Sequence, residues 1–294
     1  MKKIATSRIH YEQINLALEY IQNNFSTYIT AEELANISGY SIFHFHRIFK
    51  DITGESVNDY IKNTRLEKAS NLLLYNQHKN IETIANDVGF STGTGFSAAF
   101  KKRFGSTPKE WRRGGYELNP LKASKNISVL EVDKNIDIKE PSIENCEILP
   151  IIYMRVFGYK CDMSDIWNKF QGWADENGVF NQTHKLIGLF HNHPSFLPYD
   201  KARYLACINT TKNIFRSGEV GRCRILDGKF AKFSFICTHL ELYKLIHIAY
   251  TNWLPKSQYE VRNFPSYVEY KNPKALFENK VLEVDFFMPI QLKM

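Results

Sequence analysis

From Ser41 to Thr53 the apolar positions Ile42, Phe45, Phe49 and Ile52 recur three and four residues apart, with Ile48 widening the stripe. That period predicts a helix with one buried side, opened by Ser41, whose hydroxyl can cap the free N–H groups of the first turn. The other spacing, Phe43, His46, Arg47 and Lys50, lines an aromatic, an imidazole and two cations along a face the core does not claim. Upstream, Thr30 opens AEELANIS, which buries Leu34, Ala35 and Ile37, and Gly39 permits a tight turn between the two helices. Helix, turn and helix here make a helix-turn-helix unit.

The pattern occurs twice. Residues 35–41 read ANISGYS and residues 85–91 read ANDVGFS. Each is followed by two phenylalanines four apart and then a lysine, Phe45, Phe49 and Lys50 in one copy and Phe96, Phe100 and Lys101 in the other. The second unit is expected over 81–88 and 94–104. A helix over 11–24 precedes the first unit, a long one over 56–76 joins the two, and Pro108 starts a short closing helix.

Beyond residue 118 the pattern changes. A polar stretch, NPLKASKNIS over 119–128, reads as a linker between a domain spanning 1–118 and one spanning 129–294. Strands are expected at 147–159, 185–190, 203–209, 229–237, 267–270 and 281–289, with helices at 164–177 and 239–254. The order β-α-β-β appears twice, so the chain is expected to be multidomain, an all-α half followed by an α+β half of duplicated units. A duplicated unit leaves a groove along its seam, where ligands lodge.

Composition adds little to this picture. The formal charge of the 294 residues is +7, with 15 basic against 12 acidic residues through Leu118 and 23 against 19 after it. The local run Lys101, Lys102, Arg103, Lys109, Arg112 and Arg113 carries more weight, since it could line phosphates. Five cysteines, all in the second half and without a C-x-x-C pair, fit reduced thiols in a cytoplasmic protein. No apolar stretch approaches the roughly 20 residues a membrane helix needs. His191 and His193 have a spacing that could grip a metal, but no third ligand type sits nearby, so neither a metal nor a cofactor is expected.

The motifs ANISGYS, HRIFK, RLEKA, IANDVGF, FKKRFG and TPKEWR together resemble the DNA-binding domain of the AraC/XylS family of transcription regulators. The resemblance implies seven helices and two recognition helices entering successive major grooves of double-stranded DNA, about 34 Å apart. It also implies base contacts at Phe43, His46 and Arg47, and at Gly93, Thr94 and Ala98. Arg47 can pair with guanine, His46 can reach a base edge, and Phe43 can lie on a thymine methyl. The second helix offers only Thr94 and Ser97 as polar readers, so phosphate contacts from Lys101 and Lys102 are expected to hold it.

The second half resembles the GyrI-like effector-binding domain through RVFGY, WNKF, IGLFHNHP, NWLP and VEY. The two halves in this order match the arrangement of Rob-like regulators. The resemblance implies a pocket glutamate, best matched by Glu269, for a lipophilic or cationic effector. Tyr153, Trp173, Phe190, Tyr204, Trp253 and Tyr267 are the candidate walls. An activator that contacts RNA polymerase is expected, one chain sufficing on DNA. The alternatives are a GyrI-like hydrolase of small electrophiles or a protein-binding adaptor.

Overall fold

The computed structural model describes residues 2–114, 138–157, 163–179, 184–190, 203–212, 219–262, 264–278 and 281–293. The expected linker at 119–128 and the pair His191 and His193 lie outside them. The chain divides into a helical unit and a sheet unit.

The helical unit has seven helices: α1 (Lys2–Asn24), α2 (Ala31–Ile37), α3 (Ile42–Thr53), α4 (Val57–Tyr75), α5 (Ile81–Asp87), α6 (Gly93–Phe104) and α7 (Pro108–Arg112). The repeat in sequence is a repeat in hydrogen bonds. Tyr40 N donates to Ala35 O and Phe90 N to Ala85 O, both at 2.9 Å. α3 and α6 are each 12 residues long, capped by the side chains of Ser41 and Thr92 and closed by left-handed Gly54 and Gly105. Phe45, Phe49, Val57 and Tyr60 fill the first core. Ile42 departs from the expected stripe and is 39% exposed, because it stands at the first turn, before the helix meets its neighbours.

α4 connects the two cores. Its 19 residues rise about 28 Å at roughly 1.5 Å each. Its first turns pack in the first core, while farther along Ser70 O accepts from Trp111 Nε1 at 3.2 Å and Leu73 O accepts from Arg112 Nε at 3.3 Å. Midway, Arg65 donates to Phe25 O and Thr27 O, both at 2.7 Å, holding the α1–α2 link. Gly89 lies on the same link: a Cβ there would sit 2.6 Å from Ser26 O.

The sheet unit contains β1 (Ser142–Cys146), β2 (Leu149–Phe157), α8 (Ser164–Glu176), β3 (Leu186–Phe190), β4 (Arg203–Asn209), β5 (Val220–Ile225), β6 (Gly228–Cys237), α9 (His239–Ile248), β7 (Tyr259–Val261), β8 (Ser266–Tyr270), α10 (Pro273–Glu278) and β9 (Leu282–Leu292). The strands run in the order β1-β6-β9-β8-β3-β4-β2-β5, with β7 beside the far end of β9. The duplication expected from the pattern is visible as symmetry. β2-α8-β3-β4 corresponds to β6-α9-β8-β9, and the two meet at the antiparallel β3–β8 pair, where Ile187 faces Glu269. The expected helix over 239–254 ends early in a π-helical turn at Ala249–Trp253. β1, β5, β7 and α10 had no counterpart in the sequence pattern.

The outer strands are exchanged. β1 precedes β2 by two residues yet pairs with β6, and β5 precedes β6 by two residues yet lies beside β2. A two-residue link spans only about 10 Å. The sheet must therefore curl until its two edges approach, which places Ile151 and Tyr153 in one core with Phe230 and Tyr267.

Candidate nucleic-acid interface and effector face

The placement of α3's side chains follows from which of them the core claims. Phe45, Ile48 and Phe49 are buried, leaving Phe43, His46, Arg47 and Lys50 exposed together; Phe43 is 90% exposed. A phenylalanine so exposed on a helix already anchored by two others is one that packing does not explain. Arg47 is steadied from within: its Nη2 lies 3.2 Å from His44 Nδ1. The His44 ring meets Tyr40 edge-on at 4.9 Å, and Tyr40 OH is 2.7 Å from His10 Nδ1. Burial, then the nearby His44 and Arg47, holds the His10 imidazole below its usual pKa. Sequence reasoning did not single out His44, whose i,i+3 spacing to Arg47 was a local signal that could have found it, nor His10, whose partners Tyr40 and His44 lie 30 or more residues away.

On α6, Thr94, Lys101 and Lys102 are exposed and Ser97 is half-buried. Gly95 serves the cap, since a Cβ there would stand 2.9 Å from Thr92 Oγ1. The basic run is not uniform. Arg103 turns inward to Glu67 at 3.0 Å, both side chains largely buried, and Arg112 is held against α4. These two are committed to packing, so the run's exposed cations are Lys101, Lys102, Lys109 and Arg113.

In the sheet unit, alternation along the strands separates the expected pocket residues. Tyr153, Tyr267 and Glu269 share the face that the sheet curls around. Phe190 and Tyr204 point to the other face, where Tyr204 OH lies 3.1 Å from Tyr270 OH and Trp167 of α8 covers both rings. Gly188 leaves the room for this: a Cβ there would lie 2.6 Å from Tyr204 OH. Trp173 packs beside Phe170 on α8, and Trp253 packs on Phe233, its Nε1 donating to Glu140 at 2.9 Å. Phe190 and Tyr204 are therefore helix-side core, Trp173 and Trp253 lie half-buried on the helices, and none of the four surrounds Glu269, a correction to the expected pocket wall.

Glu269 is buried and paired. Its two oxygens accept from Lys185 at 2.9 Å and Lys271 at 2.8 Å, and Lys271 also reaches Asp285 on β9 at 3.1 Å. Asp285 accepts from Ser234 at 2.6 Å. Burial raises the Asp285 carboxyl, but the bonds from Ser234 and Lys271 outweigh it and leave the group below its usual pKa. The free carboxylate expected among rings is instead neutralised by two lysines. Tyr267 stacks on Phe287 at 4.5 Å and its hydroxyl, driven well up by burial, faces Cys146. Among the described residues, no group of three His, Cys, Asp or Glu could hold a metal ion.

Residues 139–291, over half of the chain, match the GyrI-like small molecule binding domain. The chain belongs to the GyrI-like family. Ahead of this GyrI-like domain, residues 34–114 match a helix-turn-helix domain, so the chain joins an AraC-type helix-turn-helix half to a GyrI-like half. The bifunctional transcriptional activator/DNA repair enzyme AdaA of Bacillus subtilis is 38% identical over 102 residues, 35% of this chain and 48% of that protein. The probable transcription factor PqrA of Proteus vulgaris is 39% identical over 87 residues, 30% of this chain and 70% of that protein. Among solved structures, the C-terminal domain of AraT, a response regulator from Geobacillus stearothermophilus, is 36% identical, covering 35% of this chain and 84% of that one with a TM-score of 0.33. Each curated relative thus shares about a third of the GyrI-like chain, which spans less than half of AdaA's length. No described helix is long and apolar enough to cross a membrane.

Proposed function

We propose that this protein is a sequence-specific transcription activator that reads double-stranded DNA with α3 and α6 and senses a small molecule through its GyrI-like half. The supporting observation is the exposed row Phe43, His46, Arg47 and Lys50 on a helix whose opposite side is core, with a second helix of the same length and capping on α6. An α-helix fits the major groove, and α4, about 28 Å long, spaces the two units on the scale of one duplex turn, about 34 Å. Two readers in one chain remove the need for a dimer. α3 carries most of the discrimination, and Thr94, Ser97, Lys101 and Lys102 on α6 add positioning contacts. The division into residues 1–118 and 129–294, contact with RNA polymerase, action in the cytoplasm and the absence of an enzymatic role belong to the same proposal. The activity printed for AdaA as an activator supports its direction. A hydrolase reading is disfavoured because Glu269 is occupied by two lysines.

The test is selection of binding sites from random duplexes by the full chain, followed by gel-shift titration. Arg47→Ala is expected to lose about 1 to 3 kcal/mol of discrimination at one base position while retaining salt-sensitive binding to any duplex. Selection that yields no enriched sequence, or an Arg47→Ala chain indistinguishable from the parent, would refute the reading.

A further inference from the structure

The curled face of the GyrI-like half carries a second feature, centred on Arg262. The residue follows β7, its backbone N donating to Pro289 O at 3.0 Å, which sets it at the aromatic end of the face that also bears Glu269. Its guanidinium lies between two rings, 5.3 Å from the Phe230 centroid and 5.6 Å from that of Phe264. It rests against Gly228, where an added Cβ would run into the guanidinium itself. Nη1 donates to Asp227 O at 2.6 Å. Nε and Nη2 are shielded from solvent and have no hydrogen-bond partner among the described residues.

Those two nitrogens share one edge of the guanidinium plane. Their N–H bonds run parallel, the side-on fork that a carboxylate meets with both oxygens. Among the described residues no acid is hydrogen-bonded to that edge, and Asp227, whose backbone oxygen takes Nη1, acts on the guanidinium only through its charge. The carboxylates nearest the centre of this face already have cations: Glu269 has Lys185 and Lys271, Asp285 has Lys271, and Glu144 has Lys232. A cationic ligand would have to displace a lysine to reach any of them. A ligand carboxylate would satisfy two buried donors that are otherwise idle, and burying such donors without partners is costly.

We infer that the effector of this GyrI-like domain is a carboxylate attached to a flat apolar body, its two oxygens on the Nε and Nη2 edge of Arg262 and its body against the half-buried ring of Phe264. The inference rests on the sensor reading of this half and names the class of molecule it senses. Phe264 is only half-buried, unlike Phe230 and Tyr267, so the ligand enters from its side. Phe230 and Phe264 flank the guanidinium, and an apolar ligand body would gain by lying against Phe264.

The experiment is calorimetric titration of the full chain with 2-naphthoate, its neutral analogue 2-naphthamide, and the lipophilic cation tetraphenylphosphonium. Naphthoate is expected to bind at least tenfold more tightly than the amide, and the cation not to bind. Arg262→Lys, which keeps the charge and removes the fork, is expected to weaken naphthoate at least tenfold, with thermal unfolding of the variant checking that it folds. The naphthoate-to-naphthamide ratio on the unmutated chain tests the same point without a mutation. Binding of the cation, equal binding of acid and amide, binding of none of the three, or an Arg262→Lys chain that folds and binds naphthoate as before would each overturn the assignment. Gel shifts with the selected DNA, run alongside, separate the two readings: a chain that binds its site but fails the naphthoate tests keeps the regulator proposal and loses this one.

Discussion

Gly39 and Gly89 occupy the same place in the two copies of the helix-turn-helix repeat, both left-handed, with φ of 67° and 87°. Alanine at either pays the left-handed penalty, roughly 1 to 2 kcal/mol. Their surroundings differ. At Gly39 the nearest atom to an added Cβ is Gln13 Oε1 at 3.9 Å, an ordinary contact on a flexible side chain. At Gly89 the Cβ meets Ser26 O at 2.6 Å, Ser26 C at 2.9 Å and Ser26 Cα at 3.0 Å, all backbone. That link cannot swing away, since Arg65 grips it at Phe25 O and Thr27 O. Forced overpacking of this kind adds roughly 1 to 3 kcal/mol. Gly89→Ala should therefore cost about 2 to 5 kcal/mol and Gly39→Ala about 1 to 2. Hydrogen exchange followed by mass spectrometry reads the two units separately, because amide opening energies resolve by segment. Gly89→Ala should lower protection in α5 and α6 and in residues 25–30, while Gly39→Ala should affect chiefly α2 and α3. Equal losses, or the larger loss at Gly39, would show that the contact between the second turn and the α1–α2 link does not bear on stability.

Two further outcomes follow from the ion pairs. Glu67→Gln leaves the Arg103 charge largely buried without its carboxylate and should cost about 3 to 5 kcal/mol in denaturant unfolding, whereas replacing Glu67 and Arg103 together by methionine should recover much of it. Asp285 and Glu144 are both held below the usual carboxylate pKa, Glu144 chiefly by its bond to Lys232. A group depressed in the folded state stabilises above its unfolded pKa and loses that contribution as pH falls through its folded value. Denaturation midpoints of the GyrI-like half should hold from neutrality and drop from about pH 4 downward, less steeply in Asp285→Asn; a midpoint unchanged down to pH 3 would contradict the pairing.

The helical half was legible because its signals are local. Ser41, the Phe45–Phe49 stripe and Gly54 define α3 within 14 residues, and the second copy repeats them. The sheet half was legible in its inner strands and obscure at its margins. β1 reads SIENC, short, mostly exposed and without clean polar–apolar alternation, and a strand whose partners lie 82 to 90 residues away leaves no local mark. β3 is buried on both sides, all five residues of LIGLF, so nothing in its text says which side is groove and which is helix-covered. Its sequence therefore carries no sign that Phe190 turns to the side opposite Glu269. Lys271 could have been read as a partner of Glu269, since i and i+2 share a strand face. Lys185, 84 residues away, could not.

The exchange of β1 and β5 between the two repeats has a consequence for how the chain is made. When a ribosome has released residues 138–209, β1 has no strand to join, because its mate begins at Gly228, and β2 lacks its outer neighbour. Neither repeat can mature by itself, so the clasp closes only after β6 and β9 have emerged, through contacts distant in sequence that form slowly. Until then the exposed strand borders invite association with other nascent chains, and this half, rather than the quickly formed helical one, would set the demand for chaperones.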